Sequence, residues 1–212
     1  MISNDKIEKI KKELDQVAKT KPSAERTIMI AALISESLKW IEQDPVLVGG
    51  AAVEFYTQGQ YHTADIDMVT EGGKEMISLM EVLGFEKIGK DFVDHRREIY
   101  VEFPGSHLGA GEKIKSIKIG KRFLRIISLE DLIVDRLCAY KFWQSGIDGV
   151  NALLLLEQPD IDEMRLKIRC HAENVEDALS VVKHVKETAI RKKIPPQKVS
   201  ELLEGEKKKL KK

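Results

Sequence analysis

Two aspartates separated by one residue, Asp65 and Asp67 in 64-ADIDMVT-70, raise the first chemical question of this sequence. The apolar residues around them read as a strand, and on a strand residues i and i+2 point the same way. Two like charges so placed repel, and a proton or a cation must relieve them. A third carboxylate, Glu102, stands alone among the apolar residues of 99-IYVEF-103. If the strand over 98–103 lies beside the one over 64–70, Glu102 faces the same side as the aspartates. Three converging carboxylates suit Mg²⁺, a hard cation that keeps waters and phosphate oxygens in the rest of its shell. Two such ions clamp an in-line phosphoryl displacement. Glu98 and Asp94 compete with Glu102 for the third position, Glu98 because it points to the same face of the strand.

Upstream, 46-VLVGGAAVEFY-56 begins as a short β-branched strand, breaks at Gly49-Gly50 and continues as a helix. Neither glycine has a Cβ, so phosphate oxygens can approach main-chain N–H groups at a helix N-terminus, a natural seat for a triphosphate. Alone, the glycine pair reads equally as a tight strand-to-helix turn.

The elements that must position these residues are visible in the periodicity. Ile7, Ile10, Leu14 and Val17 predict an amphipathic helix over 4–19. Ser23 caps a more apolar helix running to about 41. Gly72-Gly73 opens a helix over 74–84, with Gly84 as its C-cap. Residues 85–89 and 91–95 predict a hairpin arm, and 113–120 and 122–128 two further strands. From Leu129 the chain is helical to about 144, again over 147–157, and in two or three amphipathic helices after Pro159. The fold class is therefore α/β (α+β), with a small mixed sheet and helices on one face, and with a helical C-terminal region.

Composition narrows the function. Thirty-five Lys and Arg balance 35 Asp and Glu over 212 residues, so no global field recruits nucleic acid. Cys138 and Cys170 lack metal-like spacing and read as buried reduced thiols. No signal-peptide core opens the chain, and its apolar stretches are too short to span a bilayer, so it reads as cytoplasmic without a membrane partner. Trp40, Phe142 and Trp143 fall in helices and read as core. His62 reads as an exposed turn histidine. The lysines at 207–209, 211 and 212 read as a solvated tail.

The order Val48-Gly49-Gly50, then Thr63-Ala64-Asp65-Ile66-Asp67, then a strand carboxylate, resembles the nucleotidyltransferase superfamily of the DNA polymerase β type. The stretch 47-LVGGAAVEFYTQGQYHTADIDMV-69 most resembles the branch that includes the abortive-infection nucleotidyltransferase toxins and minimal nucleotidyltransferases. The run 128-SLEDLIVDRLCAYKFWQSGIDGVNALLLL-156 is also similar to that branch. The resemblance covers about residues 25–157. It implies that Gly49 and Gly50 hold nucleotide phosphates, that Asp65, Asp67 and Glu102 bind Mg²⁺ (or Mn²⁺ in its place), and that Glu102 serves as ligand or general base. Thr63 would buttress the nucleotide or the metal strand. Arg136 and Lys141 would face the phosphates, with Asp148 orienting one of them. On residue pattern alone Arg136 and Lys141 read as well as a solvated helix face. Many relatives carry Gly-Ser where this chain has Gly-Gly, and an Arg before the Thr where it has Gln60, Tyr61 and His62.

The expectation is a cytoplasmic nucleotidyltransferase of the toxin–antitoxin kind. It would move NMP from an NTP to an RNA 3′ end or a protein side chain and release pyrophosphate. The alternative is a catalytically weak or inactive binding module, an antitoxin or nucleotide sensor. The expected organisation is an N-terminal helix (1–24), a nucleotidyltransferase-like domain (25–157) and a helical extension with a basic tail (158–212). The apolar C-terminal helices suggest a homodimer or a partner protein.

Overall fold

The computed structural model describes residues 2–210. The chain divides into two compact units, Met1–Ser128 and Leu129–Lys212. The expected boundary at 157/158 falls inside the second.

The first unit carries seven strands: β1 (Val46–Leu47), β2 (Asp65–Val69), β3 (Glu86–Ile88), β4 (Asp91–Asp94), β5 (Ile99–Glu102), β6 (Ile114–Ile119) and β7 (Arg122–Ile127). They form one mixed sheet in the order β3-β4-β5-β2-β1-β7-β6. β1 runs antiparallel to β2 and parallel to β7, while β2 and β5 are parallel. The outer pairs β3–β4, β4–β5 and β6–β7 are antiparallel.

Four helices accompany the sheet: α1 (Asn4–Ala18), α2 (Ala24–Leu38), α3 (Gly49–Tyr56) and α4 (Lys74–Leu83). Ser23 caps α2 as expected, its Oγ accepting from the Arg26 N–H at 3.2 Å. Gly84 ends α4 at φ 105°, a left-handed conformation that glycine adopts without strain. α2 is buried along most of its length, with Ile30, Leu33, Ile34 and Leu38 inaccessible to solvent or nearly so. The strands alternate: Ile66 and Met68 of β2 and Ile99 and Val101 of β5 enter the core. That burial fixes their register, because a one-residue slip would turn each apolar set outward.

The second unit is helical: α5 (Leu129–Phe142), α6 (Gly146–Leu155), α7 (Glu163–Ala172), α8 (Glu176–Lys192) and α9 (Pro196–Glu206). Asp131, fully buried on α5, is paired with Arg165 and with Arg169, the latter at 2.8 Å. The Tyr140 hydroxyl donates to the Leu203 carbonyl at 2.7 Å and ties α5 to α9.

Three expectations need correction. Trp143 is 84% exposed and Phe142 also faces solvent, because α5 stops at Phe142 and Trp143 lies beyond its last turn. Trp40 is half-buried. Lys207 is not part of a free tail: it donates to the Gln144 carbonyl at 2.7 Å and to Glu204 at 2.6 Å. Lys211 and Lys212 lie outside the described residues. Cys138 is half-buried and Cys170 buried, both as free thiols; burial pushes them up to about 11 and about 12.

Candidate active site

β2 and β5 build the site between them. Their register sets Asp65 beside Tyr100, Ile66 beside Val101, and Asp67 beside Glu102. Directly paired residues of neighbouring strands share a face, so burying Ile66 and Val101 sends Asp65, Asp67 and Glu102 to the opposite one. β4 adds Asp91, which pairs with Glu102 from the other side. The rivals for the third position fall elsewhere. Asp94 alternates to the core side of β4 and is held by Arg97. Glu98 precedes β5 at φ 53° and is off the strand.

The glycine pair meets the same carboxylates. Gly49 sits at φ 59°, and a Cβ there would overlap the Asp67 carboxyl group, 2.7 Å from its Cγ. The Gly50 N–H donates to Asp67 Oδ2 at 3.1 Å. Asp67 thus lies on the positive end of α3, where a carboxylate is favoured. A Cβ on Gly50 would stand 3.0 Å from Thr63 Oγ1. Thr63 therefore fills the space that a side chain at position 50 would need. Thr63 also accepts the Asp65 N–H at 3.3 Å, which holds the start of β2.

Lys90, in the turn between β3 and β4, is hydrogen-bonded to Glu102. Glu102 beside it, with the charges of Asp91 and Asp67, raises the affinity of the ammonium for its proton above the usual lysine range, against a smaller opposing effect of desolvation. The acidic face therefore already attracts a cation. Among the described residues, no three His, Cys, Asp or Glu side chains close on a common point for a metal ion. The carboxylates are turned to individual donors, Asp67 to Gly50 and Glu102 to Lys90. Asp65, Asp67 and Glu102 present only hard carboxylate oxygens on this face, the donor type that Mg²⁺ prefers.

Arg136, Lys141 and Asp148 lie in the second unit. Arg136 bonds Asp148 at 2.6 Å and Asp135 at 2.5 Å. Lys141 is buried and donates to the Asn174 carbonyl at 2.6 Å and to Asp177 at 2.8 Å. Its charge is neutralised there, so it is not a solvated helix-face lysine.

A family described as a nucleotidyltransferase of unknown function (DUF6036) matches residues 25–193. The chain belongs to that family. A solved structure, that of an antigenic nucleotidyltransferase-like protein from Paracoccidioides brasiliensis, superposes on it with a TM-score of 0.52 at 15% identity. The match covers 77% of this chain and 95% of the other, and at that identity it shows a common fold. No curated protein matches the chain. For this nucleotidyltransferase-family protein, no helix among the described residues is long and apolar enough to cross a membrane.

Two groups near the site were not singled out from sequence. Lys90 follows Gly89 in a turn and looks like an ordinary surface lysine. Glu54 is the one charged residue in the helix 49-GGAAVEFY-56, and it is 2% exposed. Its position on a buried face was the available signal. His62, expected as an exposed turn residue, is 69% exposed at its side chain, and its Nδ1 is bonded to Glu54 Oε1 at 2.8 Å.

Proposed function

We propose that this protein transfers a nucleoside monophosphate from an NTP to a hydroxyl acceptor, on an RNA 3′ end or a protein side chain. The observation that carries the reading is the pairing of Asp67 with Glu102 across β2 and β5, with Asp65 on the same face and the Gly49-Gly50 turn against Asp67. Asp65, Asp67 and Glu102 would hold Mg²⁺, which when bound would supply charge neutralisation for the triphosphate and polarisation of its phosphorus–oxygen bonds.

The chain's own groups do the rest. The main-chain N–H groups at the start of α3 orient the phosphates. Asp65 and Asp67 would hold the cation, and so set where the triphosphate lies over the face. Glu102 takes the proton of the acceptor hydroxyl, whose oxygen bonds to the α-phosphorus. The bond from that phosphorus to the bridging oxygen breaks, and pyrophosphate leaves with the electron pair. Lys90 must give up Glu102 for the carboxylate to act.

The test is incubation of purified protein with Mg²⁺, each α-³²P-labelled NTP, total RNA and host-cell protein, beside an Asp65→Ala/Asp67→Ala control. Label on an acceptor that requires the aspartates supports transfer and names donor and acceptor class. The second reading is a nucleotide sensor or antitoxin. It is favoured by the Lys90–Glu102 pair, which occupies the third carboxylate. Tight Mg·NTP binding with no label would select it.

A further inference from the structure

Lys90 meets the acidic face from a tight turn. Gly89 and Lys90 join β3 to β4, and the Ile88–Asp91 pair closes the turn. Gly89 takes φ 62°, and its carbonyl accepts from Lys87. The backbone that carries Lys90 is thereby set next to Asp91, the residue that pairs with Glu102 across β4 and β5. The side chain is held less firmly. It is 69% exposed, against 23% for Glu102, and a lysine ammonium rides on a flexible stem. An exposed ion pair of this kind is weak enough to exchange.

This contact accounts for a mismatch in the site. The register sets Asp67 beside Glu102, with Asp65 on the same face. Yet among the described residues no three such side chains close on one point. Glu102 is turned to Lys90 instead. Glu102 first, then Asp91 and Asp67, favour the charged form of that ammonium. One lysine thus stands where the face calls for a cation. Its single charge leaves the group of carboxylates under-neutralised, so a divalent cation still gains by entering.

Entry has a consequence for the lysine. A free metal ion that takes Glu102 leaves the ammonium without its partner. A metal ion that arrives on a polyphosphate brings anionic oxygens, which a lysine binds well as a point charge. We propose that Lys90 is an exchangeable counter-ion: it holds Glu102 until a divalent cation takes the carboxylates, and then pairs with the polyphosphate that the cation brings. Lys90 is therefore a specificity-determining residue that favours a metal–polyphosphate complex over the free metal. The inference rests on the nucleotidyl-transfer reading and adds to it a reason for metal and nucleotide to bind together.

The experiment measures two dissociation constants at low ionic strength, where exposed charges are least screened. One is for free Mn²⁺, followed by the loss of its electron paramagnetic resonance signal. The other is for preformed Mn·tripolyphosphate, by calorimetry. Wild type, Lys90→Met, Lys90→Arg and Asp67→Asn are compared after circular dichroism shows that each is folded. Lys90→Met should bind free Mn²⁺ at least about threefold more tightly than wild type and Mn·tripolyphosphate at least about threefold more weakly. Lys90→Arg, which keeps the charge, should stay near wild type for both. A lysine that only supports the turn would move the two affinities together or not at all. The proposal is overturned if Lys90→Met binds free Mn²⁺ no more tightly than wild type, or if both affinities shift in the same direction. The transfer reading fails on a different result. Either neither probe binds wild type or Lys90→Met, or Asp67→Asn leaves both affinities where they are in wild type.

Discussion

β4 carries two aspartates three residues apart, and they face opposite fates. Asp94 turns to the core side, where Arg97 is paired with it and also donates to Asp15 at 2.6 Å and to the Leu83 carbonyl at 3.0 Å. The N–H groups of Arg96 and Arg97 add two bonds at 3.1 Å each. Asp91 turns to the other side and joins Glu102, Asp67 and Asp65, against which Lys90 is the hydrogen-bonded ammonium among the described residues. The first cluster balances charge and closes on itself. The second keeps a negative surplus on an accessible face. Buried ions need dedicated partners to exist at all, whereas a surplus of one sign is useful only if something of the other sign arrives. The contrast separates carboxylates held by arginine in the core from the carboxylates on which the proposed transfer depends.

The largest effect on folding should come from breaking the balanced cluster. Arg97→Met strands Asp94 in the core and should cost about 3–5 kcal/mol in urea unfolding. A loss under about 1 kcal/mol would erase the distinction between the clusters. Gly49→Ala forces a left-handed residue and a Cβ into the space of the Asp67 carboxyl group, so a loss of ~1–3 kcal/mol should accompany weaker Mg·NTP binding.

Asp15→Asn should act through pH. The Arg97 hydrogen bond, with help from Arg96, holds the Asp15 carboxyl below its ordinary 3.8, against the smaller pull of desolvation. A lowered folded-state value stabilises the protein above the unfolded-state value, and that contribution is lost as pH falls through the lowered one. The variant should therefore be less stable than wild type at neutral pH and converge with it in strong acid. Parallel stability curves from neutral pH down to strong acid would contradict this assignment.

The smallest folding effect belongs to the acidic face. Asp67→Asn keeps an acceptor for Gly50 and removes one repelling charge, so stability should move by no more than about 0.5 kcal/mol. On the proposed function, Mg²⁺ with NTP should raise the melting temperature of the wild type and leave that of the variant unchanged. A large destabilisation would place Asp67 with the structural carboxylates instead.

Much of the acidic face was legible because alternation is a local property. Ile66 and Met68 set the outward side of β2, and Ile99 and Val101 that of β5. The choice of Glu102 over Glu98 and Asp94 was not legible. It depends on the parallel register of β2 with β5 and on where β5 begins, and neither is written in either segment alone. Glu54 and Arg26 are 28 residues apart and line one cavity of about 440 Å³ only because α2 and α3 pack together. Trp143 was misplaced for a similar reason, since helical spacing does not say at which residue the helix ends.

Gly49 has a consequence beyond its geometry. Every amino-acid change reachable from a glycine codon by one base adds a Cβ, and at this position each would collide with the Asp67 carboxyl group in a backbone conformation that already disfavours it. Drift cannot explore this site by small steps. A random mutational library of the chain should therefore show depletion at codon 49 even under selection for folding alone, before any activity is demanded of it.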